Sequence, residues 1–172
     1  RGRAKLHINL PPSTIFSIDH AFNNKFSMMG TATYTRWQSM GTLNITGAVG
    51  PTGSNNINIT QKLRNSWRVI LGSAYQLTNI FTIRSSVGYD ESPVNNRTRN
   101  LMLPDTNRYL ISAGLGYKIN DTMSLDTGYT HTFSQHEKIN NTQVYGNETV
   151  TTAGSVYNND DYFGLQFNWL MT

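Results

Sequence analysis

Along most of this chain apolar and polar side chains alternate with a period of two, the spacing of strands that have one greasy and one wetter face. The clearest run is residues 162–171, where Phe163, Leu165, Phe167, Trp169 and Met171 alternate with Tyr162, Gly164, Gln166, Asn168 and Leu170. Residues 108–119 set Tyr109, Ile111, Ala113, Leu115, Tyr117 and Ile119 against Arg108, Ser112, Gly114, Gly116 and Lys118, with Leu110 out of pattern. Residues 122–133 and 80–90 repeat the scheme, and 67–77 does so with Ile70 as its exception. Less regular runs at 13–22 and 26–37 bring the predicted strands to seven.

The connections alternate in length. Tight turns are expected at Asn23-Asn24, Thr78-Asn79 and Asn120-Asp121, because Asn and Asp tolerate the positive φ of short hairpins. The segments 38–66, 91–107 and 134–161 are long, rich in Asn, Thr, Gly and Ser, and read as solvated loops. Short turns at one rim and long loops at the other, joined by strands of about 9–11 residues, are the pattern of a transmembrane β-barrel. The predicted fold class is therefore all-β, an antiparallel transmembrane barrel. Aromatic residues on the greasy faces, such as Tyr75, Phe81, Tyr117, Tyr129, Phe163 and Trp169, suit interfacial girdles.

Composition sharpens the choice between this barrel and a soluble β-sandwich. Only 14% of residues are charged, against about 25% in an ordinary soluble domain. A mean hydropathy of −0.44 and the lack of a long apolar run exclude a transmembrane helix but not a barrel, where only alternate residues meet lipid. Opposite the greasy faces lie Asp19, Arg68, Arg84, Asp90, Arg108, Lys118 and Asp126, which a polar lumen accepts and a dry sandwich core does not. The net charge of +4 is scattered, without the basic run of a nucleic-acid site. There is no cysteine. Single-chain bacterial barrels use even strand numbers, and open edges are intolerable in lipid. Residues 1–172 are thus expected to be the carboxy-terminal half of one barrel domain, the upstream half of the same barrel preceding Arg1 and outer-membrane lipid surrounding both.

The densest chemistry is Gly88-Tyr89-Asp90-Glu91-Ser92-Pro93-Val94-Asn95-Asn96-Arg97, followed by Leu103-Pro104-Asp105-Thr106-Asn107-Arg108. Pro93 and Pro104 stiffen the backbone, and Asp90, Glu91 and Asp105 can pair with Arg97, Arg99 and Arg108, so a folded loop clasp of Asp90, Glu91, Ser92, Pro93, Pro104 and Asp105 is expected. Arg68, Arg84, Arg97 and Arg108 are the candidates to meet a carboxylate ligand, since a guanidinium binds carboxylate as a two-pronged fork. No catalytic constellation is evident: His7, His20, His131 and His136 are far apart, and His131 and His136 beside Glu137 read as loop residues, not metal ligands. No enzymatic activity, cofactor or metal is expected.

Leu10-Pro11-Pro12, Tyr34-Thr35-Arg36-Trp37, Asn65-Ser66-Trp67-Arg68 leading into Leu71-Gly72, and above all Tyr89-Asp90-Glu91-Ser92-Pro93-Val94 with Arg97, Pro104-Asp105 and Arg108 carry a resemblance. Through them nearly the whole chain resembles the carboxy-terminal half of the FadL/TodX outer-membrane transporters for long-chain fatty acids and aromatic hydrocarbons. The resemblance implies about seven strands of a fourteen-stranded barrel whose amino-terminal hatch and first strands lie upstream. It implies passive passage of a long-chain fatty acid or similar hydrophobic small molecule. A family lysine that meets the ligand carboxylate aligns with Ile59 here, and the nearest lysine is Lys62, which joins the ligand-binding candidates. Two other functions compete on sequence alone: a general diffusion porin, and a surface adhesin or phage receptor acting through the long loops.

Overall fold

The computed structural model describes residues 5–50, 53–60, 62–101, 103–145 and 148–171. In chain order its strands are β1 (Lys5–His7), β2 (Ser13–Ala21), β3 (Phe26–Thr35), β4 (Thr42–Gly50), β5 (Gly53–Thr60) and β6 (Ser66–Gln76). They continue as β7 (Phe81–Asp90), β8 (Arg108–Lys118), β9 (Met123–Ser134), β10 (Glu137–Tyr145), β11 (Glu148–Val156) and β12 (Asp160–Trp169). A 3-10 turn, Trp37–Met40, is the sole helical element among the described residues. It corrects the expected end of the second strand, which stops at Thr35 so that Trp37 opens the turn instead of continuing the ladder.

Seven strands form one antiparallel sheet in the order β12-β9-β8-β7-β6-β3-β2. These are the seven that alternation predicts, and every neighbouring pair is antiparallel. The last strand begins two residues earlier than expected, at Asp160, because β9 runs on to Ser134 and offers Thr132 and His131 as partners for Asp160 and Asp161.

The three tight turns each use a side chain to replace missing ladder bonds. Asn23 Oδ1 accepts from the amides of Lys25 and Phe26, Thr78 Oγ1 from those of Ile80 and Phe81, and Asn120 Oδ1 from those of Thr122 and Met123. In the last turn Lys118 also donates to Asp121 at 2.7 Å, a bond that holds this carboxyl below its ordinary range.

Register carries the alternation from strand to strand without a slip. Val69, Tyr89, Tyr109 and Phe133 share one face as successive partners, and Tyr75, Ile83, Leu115, Thr127 and Leu165 do so lower down. Among the described residues nothing packs over this face: Phe163 is 83% exposed and Leu165 74%, values a sandwich core would not leave. Near the long loops it carries the ring pairs Tyr34–Trp67 and Tyr89–Tyr109, and near the short turns the stacked pair Phe81–Tyr117. Two aromatic belts around an exposed apolar band are what a lipid-facing barrel wall requires.

The opposite face holds every charge assigned to it from sequence: Arg68, Asp90 and Arg108 are successive partners, Arg84, Lys118 and Asp126 lie on the same face nearer the short turns, and Asp19 shares the row of Met29 and Gly72. Ile70 and Leu110, the two residues out of pattern, prove to be register neighbours of Gly88 on either side. A Cβ on Gly88 would lie 3.0 Å from Ile70 Cγ1 and 3.4 Å from Leu110 Cδ1, so both side chains lean into the space that the missing Cβ leaves. Together they make an apolar spot one step below the Arg68–Asp90–Arg108 row. Farther down, Arg84 pairs with Asp126 across Gly116, where a Cβ would sit 2.8 Å from Arg84 Nη1.

Two long segments depart from the plain solvated loops that their composition suggests. Within 38–66, β4 and β5 form a hairpin that β1 joins, giving a three-stranded sheet in the order β1-β4-β5. Within 134–161, β10 and β11 form a regular nine-pair hairpin. The β10–β11 hairpin is rich in Thr and Asn and carries no alternating apolar set, whereas β4 and β5 place Leu43 opposite Ile59 and Ile45 opposite Ile57, a short alternation hidden among Asn, Thr and Gly. Threonine is nonetheless β-branched and suits strands, and Thr142 and Thr151 meet across β10 and β11 through their hydroxyls at 3.1 Å.

Candidate functional site

At the long-loop rim, residues 91–101 and 103–107 fold into a compact clasp over the polar face of the sheet. Its first anchor is β6 itself: Glu91 donates its amide to the Trp67 carbonyl, and the Trp67 amide donates to Glu91 Oε2 at 3.2 Å. Arg64, just before β6, donates its amide to the Pro93 carbonyl at 2.8 Å and its Nε to the Ser92 carbonyl, and its guanidinium meets Glu91 at 3.3 Å. Proline has no amide to offer, and here Pro93 takes part only as an acceptor.

The second anchor closes the loop on itself. Ser92 donates its hydroxyl to Asp105 at 2.9 Å and its amide to Asn107 Oδ1 at 2.9 Å. Arg108, at the head of β8, reaches Asp90 at 3.2 Å and Asp105 at 3.5 Å, so one guanidinium joins the end of β7 to the returning loop. Ser92 and Val94 are each 1% exposed, among the most buried side chains of the described residues. The described residues keep their buried apolar side chains outside the seven-stranded sheet, at Leu63 and Val94 in the loops and Ile139 on β10.

Beneath this clasp lies a cleft of about 640 Å³. Trp37, Met40, Leu63, Pro93 and Leu103 provide its apolar walls, and Thr33, Thr35, Ser66, Arg68, Asp90, Glu91, Asp105 and Arg108 its polar side. The volume falls in the range of roughly 300–1,000 Å³ typical of small-molecule sites. The 3-10 turn that supplies Trp37 and Met40 is held by Asn65, which accepts from the Gln38 amide and donates to the Tyr34 hydroxyl. Of the two arginines in the lining, Arg108 is engaged by two carboxylates. Arg68 is exposed and makes no ion pair or side-chain hydrogen bond among the described residues.

The sequence candidates divide by position. Arg68 and Arg108 line the cleft, together with the clasp residues Asp90, Glu91, Pro93 and Asp105. Ser92 is buried behind it, and Pro104 is exposed outside it. Arg84 lies lower on the polar face, bonded to Asp126. Arg97 and Lys62 are exposed and outside the lining, and Arg97 forms none of the expected ion pairs among the described residues. Arg99, expected to pair within the loop, instead meets Glu137 at 3.5 Å and reaches Asp105 only at its backbone carbonyl. Sequence reasoning passed over Arg64, Leu63 and Met40. The Asn65-Ser66-Trp67 run that follows Arg64 marked a strand start, but the pairing with Glu91 spans 27 positions and leaves no local trace.

His131 lies on β9 and faces the apolar side, with Nδ1 2.6 Å from Asp161 Oδ1, while His136 stacks on Tyr157. They are on different elements and do not converge. Among the described residues no cluster of three potential metal ligands is found.

Comparison with known proteins sets this architecture among relatives. The family model described as "Outer membrane protein transport protein (OMPP1/FadL/TodX)" matches residues 1–170. The 47 kDa outer membrane protein of Pasteurella multocida (strain Pm70) is 32% identical over 126 residues, which cover 73% of this chain and 28% of that protein. The long-chain fatty acid transport protein of Escherichia coli (strain K12) is 28% identical over 167 residues, covering 95% and 34%. Among solved structures, a Pseudomonas aeruginosa FadL homologue superposes with a TM-score of 0.83 at 25% identity, over 96% of this chain and 37% of that one. The chain thus spans about a third of the length of these relatives. The related barrels have fourteen strands, and the seven-stranded sheet is part of such a barrel.

Proposed function

As the chain belongs to the OMPP1/FadL/TodX family of outer membrane transport proteins, we propose that it is the carboxy-terminal half of a barrel that passes long-chain fatty acids or similar hydrophobic molecules across the outer membrane. The passage is passive and involves no covalent chemistry. Its partners are the hydrophobic ligand, the lipid that wets the apolar face, and the upstream half that closes the barrel.

The observation that carries this reading is the cleft under the clasp, with apolar walls and, on its polar side, an Arg68 that has no ion-pair partner among the described residues. Moving a CH₂ group from water to such walls gains about 0.8 kcal/mol, so a chain of roughly sixteen carbons gains on the order of 10 kcal/mol. Dilute ligand can therefore be captured with few polar contacts. Arg68 supplies the fork that a carboxylate head group accepts. The apolar spot of Ile70 and Leu110 over Gly88 continues the greasy surface from the cleft down the lumenal face. Arg84 is neutralised by Asp126 along that route, leaving a wall without a free charge at its position.

Replacing Arg68 with Met tests the head-group assignment. In full-length, detergent-folded protein, oleate affinity should fall roughly tenfold, the worth of a hydrogen bond to a charged group, while oleyl alcohol binds as before. Equal loss for both ligands would show that Arg68 shapes the cleft and does not read the carboxylate. High ion conductance with no saturable oleate binding would move the function to a diffusion porin.

A further inference from the structure

We infer that Arg99 is a positioning residue through which the β10–β11 hairpin holds the ligand cleft in its closed shape. This inference rests on the reading that the cleft binds the transported ligand. Among the described residues the hairpin contributes no side chain to the cleft walls, so by position alone it is only a decoration of the rim.

Arg99 is 2% exposed, the largest fully buried side chain among the described residues. A buried guanidinium is tolerated only when its donors are satisfied and its charge is met. Here the partners come from both sides of one junction. On the clasp side, Nε donates to the Asp105 carbonyl at 2.7 Å and Nη1 to Asn96 Oδ1 at 2.8 Å. On the hairpin side, Nη1 donates to the Lys138 carbonyl at 2.9 Å and faces Glu137 at 3.5 Å. Two further bonds follow the same seam, from Asn141 Nδ2 to the Arg97 carbonyl and from the Asn140 amide to the Asn96 carbonyl. Asp105 joins the two sides: its backbone is gripped by Arg99, while its carboxylate accepts from Ser92, buried behind the cleft, and meets Arg108 at the cleft wall.

Without the hairpin, Arg99 would keep its charge while losing Glu137 and the Lys138 carbonyl, and could remain buried only by moving. Asp105 would move with it, and the cleft would lose the residue that ties Arg108 to Ser92. The hairpin and Arg99 thus act as a single unit upon the cleft.

The test uses the full-length barrel, folded in detergent, with heat-modifiable gel mobility as the check on folding. Three variants are needed: Arg99→Met, residues 137–156 replaced by a short Gly/Ser turn, and both together. Amide hydrogen exchange at residues 103–108 is read without ligand, and affinity is read with dansyl-undecanoic acid. Each single change should speed exchange at these amides and weaken probe binding roughly tenfold, a coupling of ordinary size, and the double variant should be no weaker than the worse single one. Native exchange in a folded single variant, or losses that multiply in the double variant, would overturn the inference. Should Arg99→Met fail to fold, the hairpin replacement decides alone, by the same exchange. If the unaltered protein does not bind the probe, the fatty-acid reading falls, and the exchange comparison still decides the role of Arg99.

Discussion

Leu165→Arg is expected to lower the stability of the folded barrel by about 2–4 kcal/mol and to deplete it from the outer membrane. Leu165 stands on the apolar face of β12, 74% exposed, in the row that also holds Leu115 and Ile83. That row lies between the aromatic belts, where a guanidinium has neither water nor a counter-charge. The neighbouring change Gln166→Arg puts the same charge one residue along, on the polar face beside its register partner Asp126, and should cost little. Urea unfolding in lipid vesicles checks both. A similar cost at the two positions would overturn the assignment of faces, because a period of two is the whole basis for their difference.

The second large effect is expected at Arg108. Arg108→Leu removes the guanidinium shared by Asp90 and Asp105 and leaves two carboxylates facing each other over the cleft. Stranding partly buried charged partners costs about 1–3 kcal/mol, which corresponds to binding weakened by roughly five- to 150-fold if the loss falls on the ligand-binding shape of the cleft. The sheet ladder does not depend on this side chain, so insertion and heat-modifiable mobility should survive. Unchanged oleate binding in well-folded protein would remove the clasp from the account.

Why the sheet was legible and the loops were not follows from what each must satisfy. A barrel wall separates lipid from a wet interior, so every second residue is constrained, and Phe163, Leu165, Phe167 and Trp169 announce their strand without any help from the rest of the chain. The two exceptions, Ile70 and Leu110, make sense only in register, since each is defined by its shared neighbour Gly88. The β10–β11 hairpin faces water on much of its surface, so nothing forces its Thr and Asn residues into an alternating code. Its register appears in pairings such as Asn141 with Thr152, which no local pattern encodes.

The same contrast runs through the candidate site. The run Asp90-Glu91-Ser92-Pro93 drew notice for its density of charge and proline, and the structure brings it together with Asp105 and Arg108. Which arginine meets which acid was not readable, because Arg64–Glu91, Arg84–Asp126 and Arg99–Glu137 join residues on different elements. Charge type is local information, whereas partner choice belongs to the topology. Trp37 and Met40 illustrate the point from the apolar side: they reach the cleft only because the chain leaves β3 at Thr35 and turns.

The most direct measurement is photo-crosslinking of the full-length, folded protein with a diazirine-bearing long-chain fatty acid, followed by mass-spectrometric mapping of the labelled residues. Labels on Trp37, Met40, Leu63 or Leu103, competed away by excess oleate, are the result predicted for capture in the cleft. Labels confined to the outer apolar face, at residues such as Phe163 and Leu165, and unaffected by oleate, would contradict it.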